Sequence, residues 1–163
     1  MAASVVPKVR RDGTILLTDG AANSYTVSYE NGDCSFDGGA KADRIVIKDR
    51  GVIAGLRKGD DPVPSLSFSV FFRDWTDGTS GALIDFLDKT GSFSSNTSAG
   101  GAGYEQYLIN IKLSVEGTDN GDTADATATA AKCLCTWSFS ESDPDTISVT
   151  AEVLGGFTYT GQA

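Results

Sequence analysis

The chain has 163 residues and a mass of 17.0 kDa, with 40% hydrophobic residues, 19 glycines, no histidine and a formal net charge of -9. That is the size of one domain with its own core, residues 1–163, and its composition is globular rather than disordered or collagen-like. The missing histidine removes Ser-His-Asp and Cys-His catalysis and the commonest metal ligand, and no apolar run approaches the roughly 20 residues that span a bilayer.

The charge is uneven. Residues 1–50 balance seven Lys/Arg against seven Asp/Glu, whereas residues 90–163 hold two lysines, Lys112 and Lys132, against nine carboxylates. An acidic half of this kind repels phosphates, so a nucleic-acid grip is not expected. The Met1–Pro7 start lacks a charged segment followed by an apolar one, so no signal peptide is expected. Three cysteines, Cys34, Cys133 and Cys135, without framework spacing suggest reduced thiols and synthesis in the cytosol.

In chain order, Thr14–Thr18 predicts a first short strand. Tyr25, Val27 and Tyr29 alternate with Thr26, Ser28 and Glu30, the period of a half-buried strand. Asn31-Gly32 then predicts a tight hairpin, with Cys34 and Phe36 on the return strand. Arg44–Asp49 reads as a strand, and Gly51 and Gly55 as turn and bulge positions around Val52-Ile53-Ala54. Leu56–Pro64 (Leu-Arg-Lys-Gly-Asp-Asp-Pro-Val-Pro) reads as a charged loop, kept out of a sheet interior by its prolines. Ser65–Arg73 is a clean strand with Leu66, Phe68, Val70 and Phe72 on one face.

One short helix follows. Asp77, Thr79 and Ser80 offer N-caps. Ala82, Leu83, Phe86 and Leu87 share a face, Asp85 and Asp88 point outward, Lys89 suits the helix C-terminus, and Gly91 stops it. Residues 91–103 read as a flexible Gly/Ser loop. A long strand follows through Tyr107, Ile109, Ile111, Leu113 and Val115, then an acidic Ala/Thr-rich loop, Glu116–Ala131. Cys133, Cys135, Trp137 and Phe139 line one strand face, Pro144 sits in a turn, Ile147–Val153 alternates, and Phe157–Thr160 is the last strand. The fold class expected is mainly β: an antiparallel β-sandwich or barrel with one short α-helix inserted mid-chain and long polar loops.

Candidate chemistry is sparse. Cys133-Leu134-Cys135 places two thiols on one strand face, but zinc needs two further ligands and usually a longer spacing, so these read as core residues. Asp119–Asp125 lacks the ligand order of a calcium loop. Asn96-Thr97-Ser98 is a glycosylation sequon without a secretory context. No phosphate-binding loop, nucleophile elbow or singled-out carboxylate pair is present, so no enzyme and no cofactor are expected.

The order of elements resembles the tail-tube proteins of long-tailed bacteriophages, whose fold is shared with the type VI secretion tube protein. The resemblance is carried by Asp43–Asp49, the loop Leu56–Pro64, the strand Ser65–Arg73 and the helix around Gly81–Asp88. It implies a structural virion protein that assembles into hexameric rings stacked as a tube. An acidic channel would conduct genomic DNA to the host without binding it specifically. It further implies partners among the other tail proteins (tape measure, terminator, baseplate or tip), no membrane insertion of the subunit, and a place in the virion tail after synthesis in the bacterial cytoplasm. On this expectation Arg57, Lys58, Asp60 and Asp61 form inter-ring or inter-subunit contacts. The polar strand face Ser148, Thr150 and Glu152 lines the lumen. The alternative is a virion decoration or carbohydrate-binding β-sandwich module, for which Trp75, beside Asp74 and Asp77, is the one loop aromatic that could serve.

Overall fold

The computed structural model describes residues 7–9, 12–38 and 43–161; the start of the chain read for a signal peptide and the Gly39 end of the turn after Asp37 lie outside them. The protein is mainly β and antiparallel, as the alternation predicts. Strands β1 (Gly13–Thr18), β2 (Ser24–Thr26), β3 (Ser35–Asp37), β6 (Ser65–Phe71), β7 (Ile109–Val115), β8 (Ala126–Ser140), β9 (Thr146–Val153) and β10 (Phe157–Thr160) form one sheet in the order β2-β1-β7-β8-β9-β6-β3, with β10 also on β8. Strands β4 (Arg44–Asp49) and β5 (Val52–Lys58) form a separate two-stranded sheet. Among the described residues the single α-helix, α1, spans Leu83–Asp88.

The sheet bends around its core at β8. Strand β7 pairs with β8 from Ala126 to Cys133, β10 pairs with residues Thr127–Ala130, and β9 pairs with Cys133–Ser140. Lys132 marks the change of partner, in a left-handed conformation (φ 53°) with its amide donating to the Asn110 side chain. Such a bulge bends and twists a strand. At the other side the chain crosses from β1 to β6: Val27 donates to Ile15, and Glu30 bridges to Val70. The two edges thus approach each other without a closed ladder, and the bent sheet encloses Ile15, Leu17, Leu66, Phe68, Ile111, Val149 and the helix residues Phe86 and Leu87.

Several sequence expectations change. Asn31-Gly32 is not a hairpin turn: β2 pairs with β1, and β3 with β6. Tyr29 turns left-handed (φ 59°) and ends the alternation, while Asn31 hydrogen-bonds the Ser69 carbonyl and hydroxyl and so ties the chain to β6. The loop expected at 116–131 ends at residue 125, because Ala126–Ala131 has strands on both edges. The 91–103 loop is pinned rather than free: Asp19 accepts from the Thr97 amide at 2.9 Å, and Phe93 packs on Phe86 and Tyr25.

The helix also departs from expectation. Asp85 points inward and is 3% exposed. Its carboxylate accepts from Thr76 Oγ1, Thr90 Oγ1 and the amides of Asp77 and Ala82. Ala82 is the N-cap, and Asp77 instead caps the preceding turn through the amides of Thr79 and Ser80. The helix stops at Lys89, which takes the left-handed conformation (φ 57°) expected of a glycine.

Candidate functional site

The most unusual feature of the surface is the β4–β5 hairpin. Arg50 (φ 48°) and Gly51 (φ 88°) form its turn, the pair of left-handed residues that matches the twist of antiparallel strands. Every residue of β4 is exposed, and all of β5 except Gly55. Val52, Ile53 and Leu56 are 71%, 69% and 67% exposed. An apolar patch of this size on a folded surface marks an interaction site.

The register sorts the hairpin into two faces. Arg44 lies opposite Lys58, Val46 opposite Leu56 and Lys48 opposite Ile53, so one face carries three aliphatic side chains among three cations. The other face carries Ile45 opposite Arg57, Ile47 opposite Gly55 and Asp49 opposite Val52. Residues 44–58 hold five of the chain's 13 Lys/Arg and one of its 22 Asp/Glu. Two cations placed directly opposite each other, as Arg44 and Lys58 are, cost rather than contribute stability in an isolated hairpin.

The predicted contact residues therefore divide between a strand and a loop. Arg57 and Lys58 lie in β5, not in a loop, because β4 supplies them with ladder partners; Asp60 and Asp61 follow in the exposed connection to β6. Lys58 Nζ pairs with Asp61 Oδ1 at 2.6 Å, and the Asp43 amide donates to the Asp60 carbonyl. The structure brings these four together at the root of the hairpin. The sequence signal for the hairpin was present in Asp-Arg-Gly between two apolar alternations; its exposure was not.

Ser148, Thr150 and Glu152 lie on the face of the main sheet opposite the core, and all three are exposed. Their neighbours across the ladders are Ser69, Ser67 and Ser65 of β6 and Ser138, Thr136 and Leu134 of β8. The face is a field of hydroxyls with two carboxylates, Glu152 and, on the Ser69 amide and hydroxyl, Asp33. The acidic excess of residues 90–163 sits elsewhere, in Glu105, the 116–125 loop and the 141–145 turn. That loop uses its acids internally: Asp122 pairs with Lys8 at 2.8 Å, Asp125 accepts the Gly117 amide, and Glu116 accepts the Asp119 amide.

At the Phe71 end of β6, four rings form a partly open cluster. Trp75 packs 4.7 Å from Phe72 and 4.9 Å from Phe139, with Trp137 6.4 Å away. Phe72, Trp137 and Phe139 rest on the core, and Trp75 is 47% exposed. Trp137 Nε1 donates to Asp88 Oδ2 at 3.0 Å. Beyond Cys133, β8 is laddered on its β9 edge only, among the described residues.

Among the described residues no three His, Cys, Asp or Glu side chains group as a metal site. Burial pushes the thiols of Cys34 and Cys133 up to about 12, and that of Cys135 higher still, so they stay protonated. Asn96 is 3% exposed and donates to the Tyr107 hydroxyl, out of reach of a glycosylating enzyme in the folded state.

No protein-family model matches the chain, and no curated protein matches it. Solved structures do. A chain of the PVC sheath–tube complex of an extracellular contractile injection system superposes with a TM-score of 0.55 at 13% identity, over 90% of this chain and 88% of that one. The anti-feeding prophage tube-terminating cap gives a TM-score of 0.60 at 12% identity over 99% and 95%. The PVC sheath/tube terminator gives 0.59 at 13% identity over 99% and 100%. At these identities the likeness speaks of fold, and it runs nearly end to end: the chain has the tail-tube type of fold found in phage-like contractile injection systems.

Proposed function

We propose that the protein is a non-enzymatic structural component of a phage tail, a tube subunit that assembles with copies of itself. The observation that carries this reading is the exposed, cationic, aliphatic hairpin, which a lone subunit leaves uncovered. Burying one Val, Leu or Ile contributes roughly 1.5–3 kcal/mol, so covering several favours association strongly. The fold likeness to tube, terminator and cap assemblies supports the same reading. Hexameric rings stacked as a tube fit it, with Arg57, Lys58, Asp60 and Asp61 at the contacts between subunits or rings. The hydroxyl face with Ser148, Thr150 and Glu152 is the proposed channel lining. Hydroxyls with the carboxylates of Glu152 and Asp33 offer DNA no cations to hold it, so genomic DNA slides past. Tape-measure, terminator and baseplate or tip proteins are the partners this role implies, in a virion tail built from subunits made in the host cytoplasm.

Negative-stain microscopy of the purified protein tests this directly. Rings or tubes with a central hole are expected, and a monodisperse monomer at high concentration is the opposing result. The partly exposed Trp75 cluster favours a second reading, a carbohydrate-binding or decoration module. Glycan titration that shifts tryptophan fluorescence, without assembly, would support it.

A further inference from the structure

We propose that the hairpin face carrying Val46, Ile53 and Leu56 docks on the ring cluster Phe72, Trp75, Trp137 and Phe139 of a second copy. This rests on the self-assembly reading above and names the surface that receives the hairpin. Three observations carry it.

The first is complementary chemistry. The hairpin face is aliphatic and rimmed by Arg44, Lys48 and Lys58. The ring cluster is aromatic and rimmed by carboxylates. Asp88 holds the Trp137 indole and Asp74 accepts the Trp75 amide. Glu141 and Asp143 lie exposed in the adjoining turn. Opposite charge around an apolar centre steers and registers an interface.

The second is position. The hairpin leaves the main sheet at the Ser65 end of β6, where the Val153 amide meets the Pro64 carbonyl. The ring cluster closes the opposite end of the same strand, about 23 Å away at the usual rise of a strand. A hairpin at one end and its receptor at the other give a contact between unlike surfaces, which repeats head to tail along the direction of β6.

The third is that each surface is unfinished alone. Arg44 lies opposite Lys58, whose own charge is met by Asp61 at 2.6 Å, and among the described residues β8 offers an unladdered edge from Leu134 to Ser140 beside the rings. Docking supplies anions to the first and brings strands within reach of the second.

The test is a charge swap. The hairpin variant is R44E/K48E/K58E; the patch variant is D74K/E141K/D143K, which leaves the rings and the Asp88–Trp137 bond in place. Each alone should raise the concentration for half-assembly at least about tenfold, and the two combined in one chain should return it close to wild type. Far-UV circular dichroism and melting check that the variants fold. A second readout needs no variant: the chain's two tryptophans, Trp75 and Trp137, both lie in the cluster. On assembly of the wild type their emission should move to shorter wavelength and iodide quenching should fall. Assembly with quenching unchanged, or a patch variant that assembles like the wild type, overturns the docking surface while leaving self-assembly intact, and the rings are then left for another partner. A wild type that stays monomeric at every concentration overturns both.

Discussion

Asp85 occupies a helix position that spacing alone gives to solvent, yet its carboxylate lies inside, holding four donors from the segments on either side of α1. Burial raises its pKa, but hydrogen bonds from the Asp77 amide, Thr76, Thr90 and the Ala82 amide outweigh this and hold it below the usual carboxylate value. Asp19, which ties the 97 region to β1, is depressed by similar bonds against the same burial. Both are therefore protonated more readily in the unfolded chain. Their stabilisation is fully present above the ordinary value of 3.8 and is lost as pH falls through the lower folded values. Acid unfolding followed by circular dichroism should begin below about pH 4 and become shallower in Asp85→Asn. Asp85→Ala should cost about 3 kcal/mol in denaturant unfolding, since it orphans several donors. Glu30 has the opposite sign. Its Oε2 is buried without a partner among the described residues, and burial, with Asp33 nearby, raises its pKa. The folded state then binds the extra proton, so stability declines as pH rises from 4.5 towards the raised value. Glu30→Gln should raise Tm at pH 7 by a few degrees. None of these directions was legible in the sequence, because which backbone amides surround a carboxylate is decided by the turns that bring them there.

At the scale of elements, strands were legible where apolar and polar residues alternate cleanly, as in β4, β6, β9 and β10. The first half of β8 was not. Ala126–Ala131 is made of Ala and Thr, which read as loop, and it becomes strand because β7 and β10 pair on its two edges. Its fate depends on segments many residues away. The hairpin has the opposite character, being local in register and paired within itself. Gly51→Val places a β-branched residue at φ 88° and should disrupt the turn. Because β4 and β5 form their own sheet, Tm should change little while assembly, measured by sedimentation, falls. Phe86→Ala, at the fully buried centre of the core, should do the reverse. It should cost about 3–5 kcal/mol and lower Tm.

For the whole molecule, the fold class followed from periodicity and composition, and the likeness to tube-type structures agrees with that fold. The candidate contact surfaces were legible only in part. Arg57 and Lys58 drew attention by charge, but that Ile45, Val52, Ile53 and Leu56 stand in solvent is a tertiary fact, and apolar strand residues are ordinarily assigned to a core. Screening offers a check at this scale. If charge registers the hairpin, the assembly rate should fall as salt rises from 0.05 to about 0.5 M, where the Debye length shrinks to a few ångströms. The pairing of β6 with β9, Leu66 opposite Ala151, has a consequence for synthesis. The hairpin leaves the ribosome long before Trp137, Phe139 and the turn at 141–145 exist. If the hairpin docks as proposed, a growing chain displays it while the surface that would accept one is still unmade. On the docking proposed above, neighbouring nascent chains on one message lack the surface that receives a hairpin, and a subunit can receive one only when its translation is nearly finished.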